Sequence, residues 1–137
     1  MIKNAIVTGS SKGIGRELAL LLLESGFKVY GYSRTNSINH INFKFQKTDL
    51  SDVNSIDSIK LPEINKNDQV FLINNAGEIG VIDKIGNKKS SEIINEFNIN
   101  LIAPTIFCNN IINFYKGNSK IIINISSGAA LRPIESW

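Results

Sequence analysis

The residues best placed to do chemistry lie in "VTGSSKGIGRELA", where Gly9, Gly13 and Gly15 follow a short apolar run and lead into a helical pattern. Backbone N–H groups at a helix N-terminus bind phosphate, and glycine is needed there because a Cβ would block a pyrophosphate from approaching. Ser10, Ser11, Lys12 and Ile14 share that turn and are candidate contacts. An ordinary structural turn also uses glycines. Here the turn follows a strand, opens a helix and lies in a βαβ unit of about 30 residues, the context in which such a loop holds a dinucleotide. A P-loop is excluded, because Lys12 precedes Gly13 and no G-x-x-x-x-G-K-S/T pattern occurs.

The end of the next strand bears on which dinucleotide. An acidic residue about 20 positions past the glycines would bind a ribose 2′-hydroxyl, whereas an arginine accommodates a 2′-phosphate. The stretch "YGYSRT" carries no acid, and Arg34, beside Ser33, lies 34 − 15 = 19 residues after Gly15. A guanidinium grips phosphate through two parallel hydrogen bonds, so Arg34 favours NADP(H), with Lys12 as a second positive charge. The alternative is that both side chains are solvated surface charges.

Holding these residues together requires strands alternating with helices. Five strands are read at Ile2 to Thr8, "FKVYGYS", "NFKFQKTDL", "QVFLINNAG" and "SKIIINISS". The first helix runs from about Ile14 to Ser25 on Leu18, Leu21 and Leu22, and Gly26 ends it. Ser51 or Asp52 caps a short helix toward Leu61. A long helix opens at Ser90 or Ser91, carries Ile93, Ile94, Phe97, Leu101 and Ile102 on one side, bends at Pro104 and ends by Tyr115. The order β-α-β-β-α-β-α-β predicts an α/β fold, a doubly wound parallel sheet with helices on both faces, in one domain spanning residues 1–137.

Several motifs fall in a fixed order: Thr-Gly-x-x-x-Gly-x-Gly, Asp49-Leu50 after the third strand, "NNAG" at Asn74 to Gly77 after the fourth, Asn100 in the long helix, and "NISSG" ending the fifth. In this order they resemble the short-chain dehydrogenase/reductase family over the whole chain. The stretches "NLIAP" and "ISSGAA" with the final Trp137 look like the branch containing sepiapterin reductases and bacterial benzil reductases, which reduce ketones and 1,2-diketones. The resemblance implies a Rossmann-type sheet, of which this chain carries the first five strands of seven, and an NADP-dependent oxidoreductase. It implies that Asp49 accepts from the adenine amino group beside Leu50, and that Asn75, Ala76 and Gly77 line the cofactor ribose. Asn74 holds the strand. Asp49 is also placed to cap the next helix, and both roles are compatible.

The same resemblance makes Ser127 the catalytic serine that polarises a substrate carbonyl, with Ser126 the one-residue alternative and Asn100 the supporting asparagine. Without the family context, those serines are ordinary turn formers. The family's Tyr-x-x-x-Lys motif would begin just past Trp137, itself a candidate wall of the substrate pocket. Tyr30, Tyr32 and Tyr115 sit in the wrong elements to replace that tyrosine. The resemblance therefore predicts a chain truncated at its C-terminus, without turnover of its own. The other readings are an NADP(H)-binding module without catalysis, or an incomplete fold that survives by association. An uncovered fifth strand would favour a homo-oligomer.

Bulk properties fit these readings. A net charge of +3 with scattered basic residues gives no nucleic-acid arm. No apolar run approaches the ~20 residues that cross a bilayer, and the N-terminus has no signal-peptide pattern. Cys108 is the single cysteine, so internal disulfides are excluded and a cytoplasmic setting is expected, with the thiol a small core residue.

Overall fold

Along β1 (Lys3–Thr8) every residue after the first is buried, yet alternate side chains serve opposite faces: Ile6 joins one apolar cluster, Ala5 and Val7 another. With both faces covered, the strand reads as an almost continuous apolar run, as the centre of a parallel sheet requires. In the computed structural model, which describes residues 1–84, 86–132 and 134, β1 is that centre. It is flanked by β2 (Lys28–Ser33) and β4 (Gln69–Asn74), with β3 (Phe43–Lys47) and β5 (Lys120–Asn124) at the two edges. All four pairings are parallel, in the order β3-β2-β1-β4-β5. The chain builds outward from β1 in one direction, then reverses with β4, leaving a switch point at the carboxyl ends of the central strands.

Helices cover both faces, as the sequence pattern predicts, and the fold is a Rossmann-type doubly wound sheet. One face packs α1 (Gly13–Glu24) through Ala19 and Leu23; the other packs α2 (Val53–Asp57) and α4 (Ala103–Phe114) through Ile56, Phe107 and Ile111. Gly26, with φ +82°, ends α1: its N–H reaches the Leu23 carbonyl while that of Phe27 reaches Leu22, both at 3.0 Å. This turn sends Phe27 into the core.

Two expectations about helices are corrected. α2 stops at Asp57 instead of running toward Leu61. Asp52, not Ser51, is its cap, and the Tyr32 and Tyr115 hydroxyls donate to the carbonyls of Lys60 and Pro62, engaging that backbone outside a helix. The long helix does form over α3 (Ser90–Phe97) and α4, but the distortion lies ahead of Pro104, in a π turn over Asn98–Ile102. Proline has no N–H to donate to the Asn100 carbonyl four residues back. The Ala103 N–H instead bonds the Asn98 carbonyl five residues back, and Pro104 sits in the first turn of α4.

The apolar stripe of Ile93, Ile94, Phe97, Leu101 and Ile102 is exposed, and the sheet is met instead by Ala103, Phe107, Ile111 and Tyr115. Periodicity shows that a face is apolar, not which of two such faces meets the sheet. Among the described residues no helix is long and apolar enough to cross a membrane. Trp137, the candidate pocket wall, lies outside the described residues.

Phe107 is fully buried and meets Tyr32 edge-on at 5.4 Å between centroids, joining α4 to β2. Replacing it by alanine removes that packing and leaves a cavity. A loss of about 3–5 kcal/mol is expected in urea unfolding of the chain.

Candidate active site

The turns after β1, β2, β3 and β4 open onto one cavity of about 510 Å³. Gly9, Ser11, Lys12, Gly13 and Ile14 line it from the turn after β1, Ser33 and Arg34 from the end of β2, Asp49 and Leu50 from beyond β3, and Asn75, Ala76 and Gly77 from beyond β4. Ser10 and Gly15, grouped with them from the sequence, do not line it. Both are buried; the Ser10 Oγ lies 3.4 Å from the Ser33 Oγ, and a Cβ on Gly15 would strike the Asn75 amide and the Gly9 carbonyl. Their place is to let the turn pack against β2 and β4. Tyr32, Thr48, Glu78 and Ile99 line the cavity too, although the sequence marked none of them as a cofactor contact and set Tyr32 aside only as the catalytic tyrosine. For Tyr32 and Thr48 the available signal was position, at the carboxyl ends of strands beside a switch point.

The turn is shaped for an anionic ligand. Gly9 and Gly13 have φ of +69° and +54°, which L side chains resist. No side chain caps α1 and its first turn holds no acid, so the positive end of the helix is open. Lys12 and Arg34 add charge from two different loops lining the same cavity. These residues fit a dinucleotide: uncapped N–H donors for its phosphates, and a turn free of obstructing Cβ atoms.

Asp49 is half-buried, and its Oδ1 accepts from the Ser51 N–H at 3.0 Å and the Ser51 hydroxyl at 2.7 Å. The Ser51 hydroxyl first and then its N–H hold the Asp49 carboxyl below the usual range, against an opposing effect of burial that exceeds what the charge of Arg34 adds. The helix-capping duty weighed for Asp49 falls to Asp52, whose carboxylate accepts from the Asn54 N–H at 3.0 Å. Asn98, in the π turn, donates to the Ser51 carbonyl at 2.8 Å and so ties this corner to the long helix.

A second cavity, of about 870 Å³, holds Ser127 and Asn100 together with Ser126, Cys108 and Asn74. Asn75, Ala76, Gly77 and Glu78 line both cavities, so the "NNAG" segment is their common wall. Asn100 braces that wall: its Oδ1 accepts the Glu78 N–H at 2.9 Å while its Nδ2 donates to the Glu78 carbonyl at 2.7 Å. Ser127 is exposed at the head of a short 3-10 turn, Gly128–Ala130, its Oγ accepting from the Ala129 N–H at 3.2 Å. Asn74 joins β4 to β5 by donating to the Asn124 Oδ1 at 2.8 Å, and its Nδ2 lies 3.4 Å from the Cys108 Sγ. Cys108 is half-buried and packs against the core, in keeping with a packing role.

None of Tyr30, Tyr32 and Tyr115 lines the cavity that holds Ser127. Burial pushes the phenol pKa of all three upward, with charge repulsion from Tyr30 adding at Tyr32, and from Tyr32 and Tyr30 at Tyr115.

Residues 3–137 match the family described as short chain dehydrogenase. This chain belongs to that family. Among its relatives it is 30% identical to the benzil reductase ((S)-benzoin forming) of Bacillus subtilis, over 96% of this chain and 58% of that protein. It is 26% identical to the sepiapterin reductase of Rattus norvegicus, over 96% of this chain and 60% of that one. The branch read from the motifs is thus the one these relatives represent, and the chain spans about 60% of their length. A short-chain dehydrogenase/reductase from Burkholderia vietnamiensis has the same fold, with a TM-score of 0.83 at 23% identity over 98% of this chain and 68% of that one. ElxO solved with NADPH bound superposes with a TM-score of 0.78 at 25% identity, over 99% and 60%.

Since Ser51 supplies the largest share of Asp49's lowered pKa, Ser51→Ala raises that pKa toward the ordinary aspartate value. Carboxyl-carbon NMR titration of Asp49 reads the change. The sign follows from linkage: the folded chain binds this proton less readily than the unfolded one, so the stabilisation is intact above the ordinary aspartate range, about 3.9, and is lost as pH falls through the lowered value.

Proposed function

We propose that these residues form the cofactor half of an NADPH-dependent carbonyl reductase acting on ketones or 1,2-diketones. The observation that carries this reading is the common wall of Asn75, Ala76, Gly77 and Glu78 between a basic, glycine-lined cavity and the cavity of Ser127 and Asn100. A nicotinamide cofactor supplies the hydride that such a reduction needs. In this reading Gly9, Ser11, Gly13 and the open end of α1 hold the pyrophosphate, Asp49 and Leu50 meet the adenine, and Arg34 with Lys12 takes a 2′-phosphate. Asn75, Ala76 and Gly77 keep one side of the ribose free of bulky side chains. Ser127 donates its hydroxyl to the substrate carbonyl and stabilises negative charge growing on that oxygen. Asn100 orients the wall through Glu78. The likeness to benzil and sepiapterin reductases supports the substrate class, and Arg34 in place of an acid supports NADP(H).

The 137 residues by themselves bind cofactor without turnover in this reading. Tyr30, Tyr32 and Tyr115 lie away from Ser127, and burial makes each a weaker acid, so none serves as proton donor. A binding module without catalysis is the competing reading, favoured by the glycine-lined cavity of Lys12 and Arg34, which takes nothing from Ser127. Half-exposed Ile121 and Ile123 on edge strand β5 support association with a second copy. The single thiol suits a reducing, cytoplasmic setting.

Fluorescence titration of the chain is expected to show tighter binding of NADPH than of NADH. Arg34→Ala should abolish that preference by weakening NADPH roughly ten- to a hundredfold, the range for a lost charge-assisted phosphate contact. Equal binding of the two cofactors by the parent chain would sink the assignment. For catalysis, a longer polypeptide carrying these residues together with a Tyr-x-x-x-Lys segment should lose ketone-dependent NADPH oxidation on Ser127→Ala while still binding NADPH. Retained turnover would refute the role of Ser127.

A further inference from the structure

Between β2 and β3 runs a stretch without regular structure, residues 34–42, that begins with Arg34. Its backbone is organised from within. The Ser33 hydroxyl donates to the Thr35 carbonyl at 2.8 Å, and the Asn36 amide brackets Ile38, accepting from its N–H at 3.0 Å and donating to its carbonyl at 3.1 Å. Ile38 is buried in the apolar cluster beneath α1, although its neighbours on both sides are exposed. Between these anchors, the exposed Ser37 donates its hydroxyl to the Ser11 carbonyl at 2.6 Å. Among the described residues this is the sole hydrogen bond between the 34–42 stretch and the turn of residues 9–15.

We infer that Ser37 is a positioning residue for 2′-phosphate selection, clasping the loop of Arg34 to the glycine turn of Lys12. The inference rests on the NADP(H) reading. Arg34 and Lys12 line one cavity from two separate loops, and one phosphate can meet both only if those loops do not separate. The Ser37 bond opposes that separation. Because a peptide is planar and trans, holding the Ser11 carbonyl also fixes the direction of the Lys12 N–H that follows it. With both bases already placed, a phosphate need not order the loops when it binds, and that cost is removed from its affinity. A ligand without a 2′-phosphate does not need the two bases together and gains nothing from the clasp.

Calorimetric titration of the 137-residue chain with 2′,5′-ADP and with 5′-AMP tests this without any turnover. Ser37→Ala is expected to weaken 2′,5′-ADP roughly three- to tenfold, the effect of about one hydrogen bond, and to leave 5′-AMP within about twofold. Ser37→Thr, which keeps the hydroxyl, should restore the parent selectivity. Unchanged selectivity in Ser37→Ala, or an equal loss for both nucleotides, overturns the clasp and leaves the NADP(H) reading standing. A parent chain that binds the two nucleotides equally overturns both.

Discussion

The carboxyl ends of β1 and β4 are tied by a small set of polar contacts on which both cavities depend. The buried Thr8 hydroxyl oxygen accepts the N–H groups of Asn75 and Ala76, each at 3.1 Å, and the Asn75 amide reaches back to the carbonyls of Thr8 and Gly9 at 3.0 and 3.3 Å. Where parallel strands diverge at a switch point, their last backbone groups lose ladder partners, and buried groups of that kind must find others. Thr8 and Asn75 supply them. The wall between the cavities is thereby fastened to the glycine turn, and the close fit explains Gly9 and Gly15: a Cβ on Gly9 would lie 3.0 Å from the Ala76 Cα, and one on Gly15 would strike Asn75.

A second fixture comes from the long helix. The π turn at Asn98–Ile102 and the end of α3 before it place three polar ties within a short span: Asn100 on the Glu78 backbone and Asn98 on the Ser51 carbonyl from the π turn, and Asn95 of α3 on the Glu78 carboxylate at 3.2 Å. Nearby, the half-buried ion pair of Lys88 and Glu96, 2.9 Å apart, ties the last turn of α3 back to the segment that precedes the helix, and Gly80 lies tight against Glu96. The loop after β4 is therefore held near its start, at Glu78, and near its end, at Lys88, by side chains of the helix that follows it. Pro104 gives the helix a reason to widen at this point, because the Asn100 carbonyl has no N–H four residues ahead.

Much of this was legible in the sequence. Five strands read as short apolar runs because both sheet faces are covered, and the glycine turn, Asp49, the "NNAG" segment and the serines stand where strands end. Less legible were features set by packing. Tyr32 and Thr48 carry no chemical signature, and only strand register brings them to the first cavity. α2 ends early because Tyr32 and Tyr115, distant in sequence, take up the carbonyls beyond it. The exposed stripe on α3 and the buried face of α4 are equally apolar in sequence, and the sheet meets only one of them.

The sequence by itself determined the alternation of strands and helices, the backbone freedom of the glycine turn and the absence of an acid at the end of β2. These are local properties, set by residue type and spacing within a few turns of chain. The tertiary structure decided what lies beside what: that Lys12 and Arg34 share a cavity, that Ser37 reaches Ser11, that Asn100 grips Glu78, and that one wall serves both cavities. Such contacts join residues from about 20 to almost 70 positions apart, as between Ser37 and Ser11 or Asn75 and Thr8. Only the order in which the strands pack, β3-β2-β1-β4-β5, brings those distant segments to the same end of the sheet.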